Sequence, residues 1–189
     1  MTTNKGMKAL KGNINLYDYT GKKDILHPSI TGVYHNNGET IATDTHILLV
    51  LKNCTYSEKL EGKIIAKDGK EIQGIYPNYN GVKPSNNTEI FCINRENFNN
   101  ALRADKAKRK LMNTKEKKSH KSYYKINGIY LDLYQMEKFI NAMDYIGTEK
   151  ILIDPTDKRI PIMAETAKGW IILAPFKRLD ESDKSIYIA

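Results

Sequence analysis

The chain has 189 residues, 40% hydrophobic and 28% charged, with 30 Lys and Arg against 22 Asp and Glu, a net charge of +8 and a pI near 9.3. A globule of this size buries roughly 70% of its unfolded surface, so the length allows a core without staples and the composition excludes wholesale disorder. No apolar run is long enough to span a bilayer and Met1-Thr2-Thr3-Asn4-Lys5-Gly6 lacks the apolar stretch of a secretory signal, which points to a cytoplasmic protein with no membrane partner. Cys54 and Cys92 stand singly, without the spacing of a zinc knuckle or a redox pair. The basic balance favours polyanionic partners, because each phosphate neutralised by Lys or Arg releases condensed counterions, although a merely soluble basic protein has the same balance.

Along the first thirty residues Gly6, Gly12, Gly21 and His27-Pro28 break any long helix, and Ile14, Leu16, Tyr17 and Tyr19 offer at most a short strand. Thr31 to His35 and Glu39 to Thr43 flank Asn36-Asn37-Gly38 and predict a hairpin. Asp44-Thr45 makes a second tight reversal into His46-Ile47-Leu48-Leu49-Val50-Leu51, a continuous apolar strand of the kind buried on both faces. Lys63 to Ile75 repeat the device around Lys67-Asp68-Gly69-Lys70. Pro77, Gly81, Pro84, Ser85, Asn86 and Asn87 then crowd into a polar stretch, dividing a β-rich region, residues 1–80, from a second region, residues 89–189.

In the second region Glu89 to Ile93 reads as a strand and Asn94 caps a helix that turns Phe98, Ala101, Leu102 and Leu111 inward. Its outer face and the following loop carry Arg103, Lys106, Lys108, Arg109, Lys110, Lys115, Lys117, Lys118 and Lys121 against only Asp105 and Glu116. After a strand within Tyr123 to Leu131, Asp132 caps a second helix, with Gln135 at the spacing of a capping box. Leu133, Met136, Phe139, Ile140 and Met143 share one face of it, and Gly147 ends it. Three strands follow, Ile151 to Ile153, Ile160 to Met163 and Trp170 to Ala174.

Three segments resemble the bacterial sliding clamp, the beta subunit of the replicative polymerase, in the family's order. Ala42-Thr43-Asp44-Thr45-His46-Ile47-Leu48 is similar to an Ala-Thr-Asp-small-His-basic-Leu hairpin closure, and Tyr76-Pro77-Asn78-Tyr79 to an interdomain linker. Trp170 to Arg178 is similar to an apolar strand ending in Met-Pro-Met-basic. The resemblance implies an α+β, DNA-clamp-like fold, a curved antiparallel sheet with two helices packed on one face. Residues 1–80 would be the later half of a middle domain and 89–189 a shortened final domain. Thr45 stands where the family has Gly, Ile47 where it has a basic residue, and Ala174 and Phe176 where it has methionines, and the helix expected before the first hairpin is missing.

The resemblance implies a non-enzymatic DNA-associated protein that tethers a polymerase or another replication partner by a short peptide, without a cofactor. The peptide pocket would use Thr43, Thr45, His46 and Leu48 with Ile172, Ala174, Pro175, Phe176 and Lys177. Non-specific DNA backbone contact would come from Arg103, Lys106, Arg109, Lys110, Lys115, Lys117 and Lys118, and ring closure would need a homo-oligomer. The plainer reading of these residues is turn chemistry, core strand and solvated charge. Two alternatives stand beside the tether. One is a truncated clamp that only binds peptides. The other is a small nucleic-acid-processing enzyme of unrelated α+β fold, with Asp154 or Asp44 in its site. Against the enzyme, His27, His35, His46 and His120 show no metal-ligand spacing, and no phosphate loop or nucleophile elbow is present.

Overall fold

The first hairpin forms where strand alternation meets turn chemistry: Val33–Asn36 (β1) and Glu39–Thr43 (β2) pair around Asn37-Gly38, both at positive φ (51° and 76°). The computed structural model describes residues 14–22, 26–53, 58–176 and 184–188. Where a short strand was expected, Leu16–Tyr19 forms a 3-10 turn instead, because the Asn15 carboxamide accepts the Tyr17 N–H and caps it.

Ile47–Lys52 (β3) follows β2, then the short pair Ile64–Ile65 (β4) and Glu71–Ile72 (β5). Glu89–Cys92 (β6) leads to helix Arg95–Leu111 (α1), where Asn94 accepts the Asn97 N–H as its cap. Leu111 is 90% exposed rather than inward, since it lies past the last turn that meets the core. The expected loop is a second short helix, Thr114–Ser119 (α2). Lys121–Ile126 (β7) and Ile129–Asp132 (β8) form a hairpin around Asn127-Gly128, where the sequence reading had one strand.

Helix α3 (Leu133–Ile146) is capped by Asp132 and ended by Gly147 in the left-handed conformation. Gln135 does not return to the cap. Its side chain is drawn to Asp44 instead, and a capping box forms on α2, between Asn113 and Glu116. Lys150–Ile153 (β9), Ile162–Thr166 (β10), Gly169–Leu173 (β11) and Lys184–Ile188 (β12) complete the order.

Nine strands form one antiparallel sheet in the order β5-β4-β1-β2-β3-β11-β10-β9-β6, and β12-β7-β8 form a second. The sheet therefore crosses the polar stretch in sequence by pairing β3 with β11, with Leu48 opposite Ile172 and Val50 opposite Trp170. Gly169 makes that junction possible. It sits at φ 150°, and a Cβ there would collide with the Val50 carbonyl oxygen. The β12–β7 pair is parallel, a departure from the all-antiparallel expectation.

Alternation along the strands divides the core. Ile47, Leu49 and Leu51 of β3 and Ile171 and Leu173 of β11 face α3 and share one core with its Met136, Phe139 and Met143, with Phe98 and Leu102 of α1 and with Tyr124, Ile126, Ile129 and Leu131 of the second sheet. Leu48, Val50, Trp170 and Ile172 point to the other face, where Tyr76 and Tyr79 cover them. Each fully buried large side chain contributes about 1.5–3 kcal/mol, so both faces stabilise the sheet.

Candidate functional site

The β2–β3 reversal is fixed by its own side chains. The Asp44 carboxylate accepts the His46 and Ile47 N–H groups (3.1 and 3.0 Å), and the Thr43 hydroxyl donates to Ile47 O (2.8 Å) while accepting the Thr45 N–H (3.2 Å). The other Asp44 oxygen accepts from Gln135 Nε2 (2.9 Å) and Lys138 Nζ (3.1 Å), so the turn is bolted to α3. Burial alone would raise the Asp44 carboxyl. The Gln135 hydrogen bond, the Lys138 charge and the Ile47 N–H outweigh it and hold the group below the usual carboxylate range.

This turn forms one wall of an open groove of about 280 Å³. Thr43, Thr45, His46, Ile47 and Leu48 line that wall, and Ile172 and Ala174 form the floor, where Ala174 N donates to His46 O (2.8 Å). A second wall is Tyr76, Pro77, Asn78, Tyr79 and Val82, and Ile30 and Pro161 also line the groove. That wall is anchored because Tyr76 stacks on Tyr34 (4.8 Å between centroids) and the Tyr79 hydroxyl donates to Glu39 (2.9 Å). The lining is mainly apolar, with Thr43, Thr45, His46, Asn78 and the two tyrosine hydroxyls as its polar groups, a makeup that captures an apolar side chain by desolvation.

Of the residues the sequence pointed to, Thr43, Thr45, His46, Leu48, Ile172 and Ala174 come together here. Pro175 and Phe176 do not. They line a smaller hollow of about 180 Å³ with His46, Asp132 and Gln135, because Phe176 N donates to Tyr130 O and its ring packs edge-on against Tyr123 (4.7 Å). Lys177 lies outside the described residues, as does Cys54. Tyr76 to Tyr79 and Val82, read from the sequence as connection, supply a whole wall. The signal was available in two tyrosines within a polar stretch, since large aromatics in a connector mark a segment that packs.

The basic helix is less free than its sequence suggests. Arg109 donates to Asp105 (2.9 Å) and His120 O (3.0 Å) and lies 4.7 Å over the Tyr134 ring, while Lys106 pairs with Glu137 (2.9 Å). Arg103, Lys110, Lys115, Lys117 and Lys118 are exposed. Asp105 is fully buried and also accepts from Ser122, His120 and Tyr134. Burial pushes its carboxyl up, but the bonds from Ser122, His120, Tyr134 and Arg109 prevail and hold it at about 2. Lys108, Arg109 and Lys110 also complement the C-terminal dipole of α1, a structural reason for their charge.

The residues weighed for catalysis are used structurally. Asp154 accepts the Thr156 and Asp157 N–H groups of its own turn, and Asp44 holds the β2–β3 reversal. Among the described residues no cluster of three His, Cys, Asp or Glu side chains is placed to hold a metal ion, and no helix is long and apolar enough to cross a membrane.

Solved structures that superpose on this architecture decide the fold. A DnaN sliding clamp from Bartonella birtlesii bound to griselimycin matches with a TM-score of 0.59 at 14% identity, over 86% of this chain and 62% of that one. The chain has the sliding-clamp fold. A Helicobacter pylori beta clamp bound to a DNA ligase peptide matches equally, TM-score 0.59 at 12% identity over 86% and 61% of the two chains. A Pseudomonas aeruginosa clamp bound to griselimycin matches with a TM-score of 0.54 at 14% identity, over 95% of this chain and 68% of that one. The chain thus spans about 62% of the first of these clamps. No protein-family model and no curated protein matches the sequence.

Proposed function

We propose that this chain is a clamp-like tether: a non-enzymatic protein that holds a short peptide of a replication or repair partner in the groove between the β2–β3 turn and the Tyr76–Val82 wall. The observation that carries the reading is the groove itself, in which two segments more than 120 residues apart are joined by the Leu48–Ile172 pair and lined mainly by apolar groups. It is supported by the likeness to clamps whose structures hold a DNA ligase peptide and griselimycin. In the same reading the exposed Arg103, Lys110, Lys115, Lys117 and Lys118 touch DNA phosphates without reading bases. Residues 1–80 and 89–189 correspond to parts of two clamp domains, and a homo-oligomer would be needed to close a ring.

The test is fluorescence anisotropy of a labelled DNA ligase peptide against the chain and a Val82→Asp variant, whose side chain is 52% exposed and therefore tolerates charge. Micromolar binding weakened about tenfold or more in the variant is expected, because an apolar contact is replaced by a desolvated charge. No binding to the intact chain would sink the tether.

The interaction-module reading, without encircled DNA, gains from one observation: Arg109 and Lys106 are engaged within the molecule, which thins the phosphate-contacting face. Retention on circular DNA that is lost after linearisation would decide for the ring. Peptide binding without topology dependence would decide for the module.

A further inference from the structure

Among the described residues four non-glycine positions have positive φ: Asn37 (51°), Asn53 (53°), Asn127 (45°) and Thr45 (74°). Three are asparagine, whose short planar side chain tolerates the left-handed region. The fourth is β-branched, and two heavy atoms on its Cβ crowd the backbone there. Thr45 cannot relax, because the turn around it is over-determined. Its N–H is held by the Thr43 hydroxyl, and the two following N–H groups by Asp44, which α3 fixes in turn. A glycine would adopt the same backbone without strain.

The strained side chain stands at the groove. Thr45 and its neighbour His46 are both exposed, both line it, and their Oγ1 and Nδ1 atoms lie 3.3 Å apart, so the pair forms a polar rim above the apolar floor of Ile172 and Ala174. Strain held at a binding surface is a signature of a side chain needed there.

We infer that Thr45 is a specificity-determining residue of the groove: its side chain narrows the mouth against the Tyr76–Val82 wall and restricts entry to a slender apolar anchor on the bound peptide. This rests on the peptide reading above and deepens it. Cutting the side chain back to hydrogen relieves the backbone and widens the groove in one step, so stability and selectivity change together.

The experiment uses the full chain and its Thr45→Gly and Thr45→Ser variants. Each is melted and titrated with a labelled DNA ligase peptide whose largest apolar residue is replaced in turn by Val, Leu, Phe and Trp. Thr45→Gly is expected to melt higher by roughly 2–4 °C, relief of strain exceeding the added chain entropy. Its preference for Phe and Trp over Val and Leu is expected to shift by about tenfold, the scale on which a pocket reads small differences in side-chain size. Thr45→Ser, which keeps the hydroxyl beside His46 and loses the methyl, falls between. A Thr45→Gly protein that melts no higher overturns the inference, as does one that melts higher and binds the series with unchanged preference; in both cases the tether survives. Absence of binding by the unaltered chain removes the tether and this inference together.

Discussion

The two faces of the nine-stranded sheet are closed by different means. On one, α3 lies across β3, β11 and β10, and with α1 and the β7–β8 hairpin it closes a core in which Phe98, Phe139 and Met143 are almost wholly buried. On the other, no α-helix packs among the described residues, and the segment around Tyr76 and Tyr79, with its short 3-10 turn Asn80–Val82, covers only what its side chains can reach. A helix covers a sheet without gaps, whereas an anchored loop leaves a groove beside its anchors. The candidate site therefore lies on the loop-covered face, and the polar node at Asp105 lies on the helix-covered one.

The severest way to break this division is to break what both faces share. Gly169→Ala places a methyl against Val50 O at the β3–β11 junction and is expected to cost about 3 kcal/mol or more, with loss of peptide binding, as measured by urea denaturation and anisotropy. A cost below about 1 kcal/mol would mean that the junction relaxes freely.

Asp105→Ala is expected to cost about 3 kcal/mol by stranding Arg109 and removing the acceptor shared by Ser122, His120 and Tyr134. Peptide affinity should be unchanged, since the groove is on the other face. Equal damage to binding would show that the faces are not independent.

Acid tests the same contrast. The Asp105 carboxyl is depressed in the folded chain, to about 2 from an ordinary 3.8, so its contribution is present above about pH 4 and is lost as pH falls towards 2. Asp44 is depressed as well and adds to the loss. Thermal melts between pH 5 and 2 should therefore fall less steeply in Asp105→Asn than in the unaltered chain. Parallel slopes would remove Asp105 from the acid response.

A gentler change sharpens the loop-covered face. Tyr79→Phe removes the bond to Glu39 and is expected to cost about 1 kcal/mol, with weaker peptide binding as the wall loosens. Unaltered binding would show that Tyr76 stacking alone fixes the wall.

Where local chemistry decides, the fold was legible in the sequence. Asn37-Gly38 predicted its hairpin, the apolar run from Ile47 its doubly buried strand, and the face of Met136, Phe139, Ile140 and Met143 the helix that Gly147 ends. Six groove residues were legible from two segments, because a turn rich in hydrogen-bonding side chains and an apolar strand end are both local patterns. Gln135 was misassigned because its competing partner, Asp44, lies 91 residues away. Phe176, expected in the groove, lies in the adjoining hollow because Tyr130 and Tyr123 hold it there.

By itself, then, the sequence determined the β1–β2 hairpin, β3, β6, β9 and β11 and the helices α1 and α3 to within a few residues, since periodicity, caps and turn residues act over one or two turns of chain; it did not show α2, the β7–β8 hairpin or β12. Only the tertiary structure decided that β3 pairs with β11, that Tyr76 and Tyr79 build a wall, and that Arg109 is drawn inward to a buried carboxylate. Those outcomes depend on which distant surfaces meet. A strand edge, an aromatic ring or a guanidinium can be satisfied by many partners, and the packed core selects one.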